Sequence, residues 1–70
     1  METFILDIDV TYETADGLEF QQRIYQEVKK EENFFTKRNE AMERFEKVKG
    51  VDITEYEVSN QAEYNEWLQC

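Results

Sequence analysis

Histidine and proline are both missing from this chain, glycine occurs twice and cysteine once. Without histidine the commonest general base and metal ligand is gone, and no Ser/His/Asp or Cys/His catalytic pairing can be assembled. The two glycines, Gly17 and Gly50, stand too far apart to form a loop that cradles phosphate. The lone Cys70 excludes an internal disulfide framework. No cation adjoins it in sequence to lower its pKa, so it reads as a free, unreactive thiol. No apolar run approaches the roughly 20 residues of a membrane helix, and the acidic residues after Met1 are unlike a secretory leader. The expected setting is therefore a reducing cytoplasm, without membrane attachment.

Basic residues are also missing from both ends. Residues 1–19 hold six acids and no base, and residues 51–70 hold five acids and no base. The middle carries all eight bases among six acids, so the three parts have charges of −6, +2 and −5, for a net −9. A chain of this charge repels nucleic acid and anionic lipid and is attracted to basic surfaces. The middle offers no clean basic stripe either. Glu31, Glu32, Glu43 and Glu46 lie among Lys29, Lys30, Lys37, Arg38, Arg44, Lys47 and Lys49. Direct nucleic-acid binding is not expected.

Aromatic residues are plentiful: five Phe, four Tyr and one Trp among 70 residues. Each large ring can bury roughly 150–250 Å², so one compact domain spanning residues 1–70 is feasible and wholesale disorder is not expected. Phe4, Leu6, Ile8, Val10 and Tyr12 alternate with Ile5, Asp7, Asp9, Thr11 and Glu13, the period of a half-buried strand. Asp16-Gly17 then signals a hairpin. The alternation resumes through residues 18–29, where the four-residue spacing of Phe20, Ile24 and Val28 also permits a helix; the turn decides for a strand.

A charged connection leads into a helix. Thr36 is its favoured N-cap, with Asn33 and Asn39 as alternatives. Ala41, Met42, Phe45 and Val48 form its apolar stripe, Glu40–Arg44 and Glu43–Lys47 are spaced for ion pairs, and Gly50 is placed for a left-handed C-cap. Residues 51–58 read as a third strand. Val51 and Ile53 differ in parity from Tyr56 and Val58, which requires a bulge near Thr54-Glu55. Asn60 and Glu63 resemble a capping box for a short last helix edged by Tyr64, Trp67 and Leu68. The expected fold is α+β, in the chain order β-β-α-β-α. Its sheet is three-stranded and antiparallel in the order 2-1-3, with the helices on one face and the other face open.

That topology pools the acids of the two ends. Asp7, Asp9 and Glu13 would lie beside Asp52, Glu55 and Glu57, although like charges opposite one another destabilise a sheet. One explanation is solubility alone. The other is a docking face for a basic partner. Asp7-x-Asp9 supplies too few oxygens for calcium, which needs six to eight, and paired carboxylates need a cleft to become a glycosidase site. No metal, no cofactor and no enzymatic activity are expected. In charge and size the chain is similar to small acidic α+β proteins, often phage-encoded, that occupy basic grooves of nucleic-acid enzymes; no residue motif underlies that likeness. The leading expectation is an inhibitor that mimics phosphate charge. The alternative is a non-catalytic interaction module or accessory subunit. It would bind a protein partner, or itself as a homodimer, through Tyr25, Phe34, Phe35, Tyr64 and Trp67 or through a sheet edge.

Overall fold

The computed structural model describes residues 2–69; Cys70, read above as a free thiol, lies outside them. The elements are β1 (Thr3–Glu13), β2 (Glu19–Lys29), α1 (Phe34–Lys49), β3 (Asp52–Val58) and α2 (Gln61–Leu68). They build one antiparallel sheet in the order β2-β1-β3, so the expected class, chain order and strand order all hold. The domain is elongated, 45 × 19 × 14 Å, because the β1–β2 hairpin pairs without interruption from Thr3–Lys29 to Glu13–Glu19.

The alternation in β1 decides which face is wet. Leu6, Ile8, Val10 and Tyr12 are buried with Val28, Ala41, Phe45 and Tyr64. Leu6, Ile8, Val10 and Val28 lose nearly all solvent contact, each side chain contributing about 1.5–3 kcal/mol. The hairpin loop is a type I turn closed by a left-handed glycine. The Gly17 N–H donates to Thr14 O (3.0 Å), the Thr14 N–H donates to Leu18 O (2.9 Å), and Gly17 has φ 84°. Asp16 keeps a negative φ, which excludes the type I′ turn. The Asp16 carboxylate accepts from the Thr14 hydroxyl. This bond, with smaller help from backbone N–H groups, holds the Asp16 carboxyl below its usual range.

At the start of α1 the favoured cap was the wrong residue. Asn33, not Thr36, is the N-cap, and its Oδ1 accepts from the Thr36 N–H at 3.0 Å. Thr36 lies three residues too far in: its own N–H is one of the orphan donors that needs a cap. The two ion pairs expected along α1 do not form among the described residues. Arg44 donates to the Gln26 side chain on β2 (2.8 Å), and Glu40 meets Lys37 instead. Gly50 does end the helix in the left-handed region (φ 67°), its N–H donating to Glu46 O at 2.8 Å. The Glu46 carboxylate reaches on to accept the Ile53 N–H at 2.8 Å, tying the end of α1 to the beginning of β3.

The bulge required by the parity conflict is present. Thr11 pairs with Glu55 and Tyr12 with Ile53, leaving Thr54 as the extra residue. Its hydroxyl donates to Thr11 O at 3.3 Å. The expected capping box at Asn60 does not form, because the Asn60 side chain makes no cap hydrogen bond. It turns to β1, where Oδ1 accepts the Asp7 N–H (2.9 Å) and Nδ2 donates to Ile5 O (2.8 Å). Together with the Ser59 N–H donating to Asp7 O (2.9 Å), this prolongs the β1–β3 ladder past the end of β3 with a side-chain amide.

Candidate functional site

The open face of the sheet follows from the buried one. Residues opposite in register share a face, so Asp7, Asp9, Thr11 and Glu13 of β1 lie on the side away from the helices. Asp7 meets Tyr25 on β2 alone, and the other three meet a partner on either flank. Asp9 lies opposite Arg23 on β2 and Glu57 on β3, Thr11 opposite Gln21 and Glu55, and Glu13 opposite Glu19 and Asp52. The bulge at Thr54 is what brings Asp52, of even number, onto the same face as Glu55 and Glu57. All six acids singled out in the sequence therefore share one surface, and the base-free ends of the chain meet on it.

This surface is concave. A trough of about 750 Å³ runs across the three strands, lined by Asp9, Thr11, Gln21, Arg23, Glu55 and Glu57, with parts of their neighbours. A bulge raises the local strand twist, and the bulged Thr54 immediately precedes Glu55 of the trough's lining.

Arg23 was not singled out from the sequence, yet it is central. Its Nε donates to Asp9 Oδ1 at 2.7 Å and its Nη2 to Asp9 Oδ2 at 3.3 Å. The hydrogen bond from Arg23, then its charge, holds the Asp9 carboxyl below the usual carboxylate range. The guanidinium is correspondingly raised, chiefly by the Asp9 hydrogen bond and charge, with a smaller contribution from Asp7. Register alone would have flagged Arg23, once Asp9 was known to oppose it. Among the described residues Asp7, Glu13, Asp52, Glu55 and Glu57 form no ion pair. One acid of the six is thus neutralised and five are not.

The aromatic residues named in the sequence divide. Tyr25 is 62% exposed on the open face, across from Asp7. Phe34, Tyr64 and Trp67 instead close α2 over β1. Tyr64 is buried, with its ring centroid 4.9 Å from Phe34, 5.6 Å from Phe4 and 5.9 Å from Trp67. Burial pushes the Tyr64 phenol above its ordinary pKa. Phe35 stands 61% exposed at the other side of Phe34, with the Arg38 guanidinium 5.3 Å from its ring. These five aromatics do not form one surface.

Among the described residues no group of three or more acidic or cysteine side chains is placed to hold a metal ion, and no helix is long and apolar enough to cross a membrane. Comparison of the chain with family models, curated proteins and solved structures finds no match.

Proposed function

We propose that this chain is a non-catalytic protein-binding domain whose open sheet face docks on the basic, nucleic-acid-binding surface of another protein. Its carboxylates stand where phosphates would be, so that it acts as an inhibitor of the phage or regulatory type in the cytoplasm. The observation that carries this reading is the pairing of acids across neighbouring strands, Asp9 beside Glu57 and Glu13 beside both Asp52 and Glu19. Opposed like charges cost stability, and lysines in those positions would remove the cost.

The charge density supports the same reading. From Asp7 to Glu13 the strand rises about 20 Å, and the five acids of this face that form no ion pair, Asp7, Glu13, Asp52, Glu55 and Glu57, fall within that span. One strand of a DNA duplex carries one charge per 3.4 Å, or about six over the same length. A face of this density speeds encounter with a basic groove, and its binding weakens with salt.

The test is competition. A protein captured from lysate by the immobilised domain is identified, purified and assayed for nucleic-acid binding with and without the domain. The wild type should displace the nucleic acid. The combination Asp7→Lys, Glu55→Lys and Glu57→Lys should not, while Glu40→Lys with Glu43→Lys on α1 should behave as wild type. Equal loss in the two sets, or a partner that binds the domain outside its nucleic-acid surface, would defeat the proposal.

A further inference from the structure

The sheet has two outer edges, and they differ in kind. β3 carries Asp52, Glu55 and Glu57 with no base in seven residues, so a second copy laid along it would meet like charge. β2 carries Glu19, Arg23, Glu27 and Lys29, two of each sign, along 11 residues. It has no proline and no bulge, and among the described residues its outer side is covered by no other strand. Proteins commonly guard such an edge with charge, proline or irregularity. Here β3, with charge of one sign, repels a second copy, and β2, with balanced charge, does not.

We infer that the protein associates with a second copy of itself through β2, antiparallel, in the register that sets Ile24 opposite Ile24 of the copy. Ile24 is the midpoint of β2, so this register pairs the strand along its length up to Lys29, whose own outward N–H and carbonyl are taken by Glu32. It puts Glu19 against the copy's Lys29, Phe20 against its Val28, Gln22 against its Gln26 and Arg23 against its Tyr25. Opposite charges, apolar groups, amides and a cation with a ring are each matched. Moving the centre to Arg23 sets Arg23 on Arg23 and Glu19 on Glu27. Moving it to Tyr25 matches Arg23 with Glu27 but puts Val28 against Gln22 and leaves Phe20 against Lys30. Any shift by an odd number turns the acidic face of one copy to the core side of the other.

The backbone is set for this pairing. Lys29 stands opposite Thr3, yet its N–H donates sideways to the Glu32 carboxylate at 2.8 Å. In an antiparallel ladder such outward groups recur at every second residue. The N–H groups of Glu27, Tyr25, Arg23 and Gln21 therefore point away from β1 as well. Beside this edge, between β2 and α1, lies an apolar groove of about 340 Å³ lined by Ile24, Ala41, Phe45 and Val48 among others. Val48 is 81% exposed there. The two-fold axis through Ile24 brings each groove to its counterpart and covers both. This contact shares Arg23 and Tyr25 with the open face but responds to salt in the opposite sense from docking on a basic partner, because added salt screens repulsion between two copies of charge −9.

Sedimentation equilibrium tests it. The wild-type chain, of 8.5 kDa, should show a concentration-dependent approach to twice its mass, favoured by salt. Tyr25→Pro removes one outward N–H, a change an edge strand tolerates, and should leave a folded monomer by circular dichroism. In a Cys70→Ser background, Ile24→Cys should form a disulfide-linked dimer under mild oxidation, since its Cα would lie about 4.5 Å from its symmetry mate. Arg23→Cys, offset from its own copy, should not. A wild type that remains monomeric at roughly millimolar concentration overturns the inference, and so does equal cross-linking of the two cysteine variants.

Discussion

Arg23 and Asp9 face each other directly across the β1–β2 ladder and are joined by two hydrogen bonds, of 2.7 and 3.3 Å. The pair places a cation in the middle of a surface otherwise dominated by carboxylates. The Arg23 hydrogen bond, then its charge, holds the Asp9 carboxyl below the usual carboxylate range. Its folded pKa is lowered, so its contribution to stability is present above the unfolded value of about 3.9 and is lost as pH falls through the lowered folded value. Arg23→Gln should return the Asp9 carboxyl to the ordinary range in an NMR titration and remove that part of the acid dependence. An unchanged Asp9 titration would show that the guanidinium is not its cause.

Glu13 sits between two like charges, Glu19 on one flank and Asp52 on the other. Cross-strand pairs of this kind change stability by roughly 0.2–1 kcal/mol each. Glu13→Thr should therefore stabilise the domain by about 1 kcal/mol in urea denaturation, and added salt should stabilise the wild type more than the variant. A loss of stability would mean that the carboxylate makes a favourable contact outweighing both repulsions.

Gly50 ends α1 at φ 67°, and a Cβ there would meet nothing within 4 Å. Gly50→Ala should thus cost only the strain of a left-handed non-glycine residue, about 1–2 kcal/mol, with no change in the circular dichroism of the native state. A much larger loss of stability would require a steric clash that the surrounding space does not contain.

Much of this fold was legible because several local signals agreed. The alternation of Leu6, Ile8, Val10 and Tyr12, the Asp16-Gly17 turn and the stop at Gly50 each specified an element by backbone sterics or burial. Even the bulge at Thr54 could be read, because Ile53 and Tyr56 could not otherwise share a face. One error came where two residues of like chemistry competed for one task, and others where a side chain found a partner on another element, as Arg44 did at Gln26 and Asn60 at β1. Asn33 and Thr36 are both good caps, and only the completed first turn shows whose N–H needs an acceptor. The six acids were placed on one face by topology, but the role of Arg23 was invisible until strand register put it across from Asp9. Tyr64 and Trp67 looked alike as core or contact residues, since ring type does not say which way a short helix rolls.

The side chain of Asn60 gives the sharpest test of a misread residue. Had it capped α2, aspartate would serve in its place nearly as well. In the structure one end of the amide accepts the Asp7 N–H and the other donates to Ile5 O, and only an amide offers both. Asn60→Asp keeps the acceptor but sets a carboxylate oxygen against the Ile5 carbonyl, beside the acids of β1. Asn60→Ala leaves the part-buried Asp7 N–H without its partner, a loss of about 1–3 kcal/mol. Both variants should therefore be destabilised in urea denaturation, with Asn60→Asp no better than Asn60→Ala at neutral pH and improving as the pH is lowered toward the carboxyl pKa. Hydrogen exchange should quicken at Asp7 in Asn60→Ala. Wild-type stability in Asn60→Asp would return the residue to an ordinary helix cap and leave the end of the β1–β3 ladder without the clamp described above.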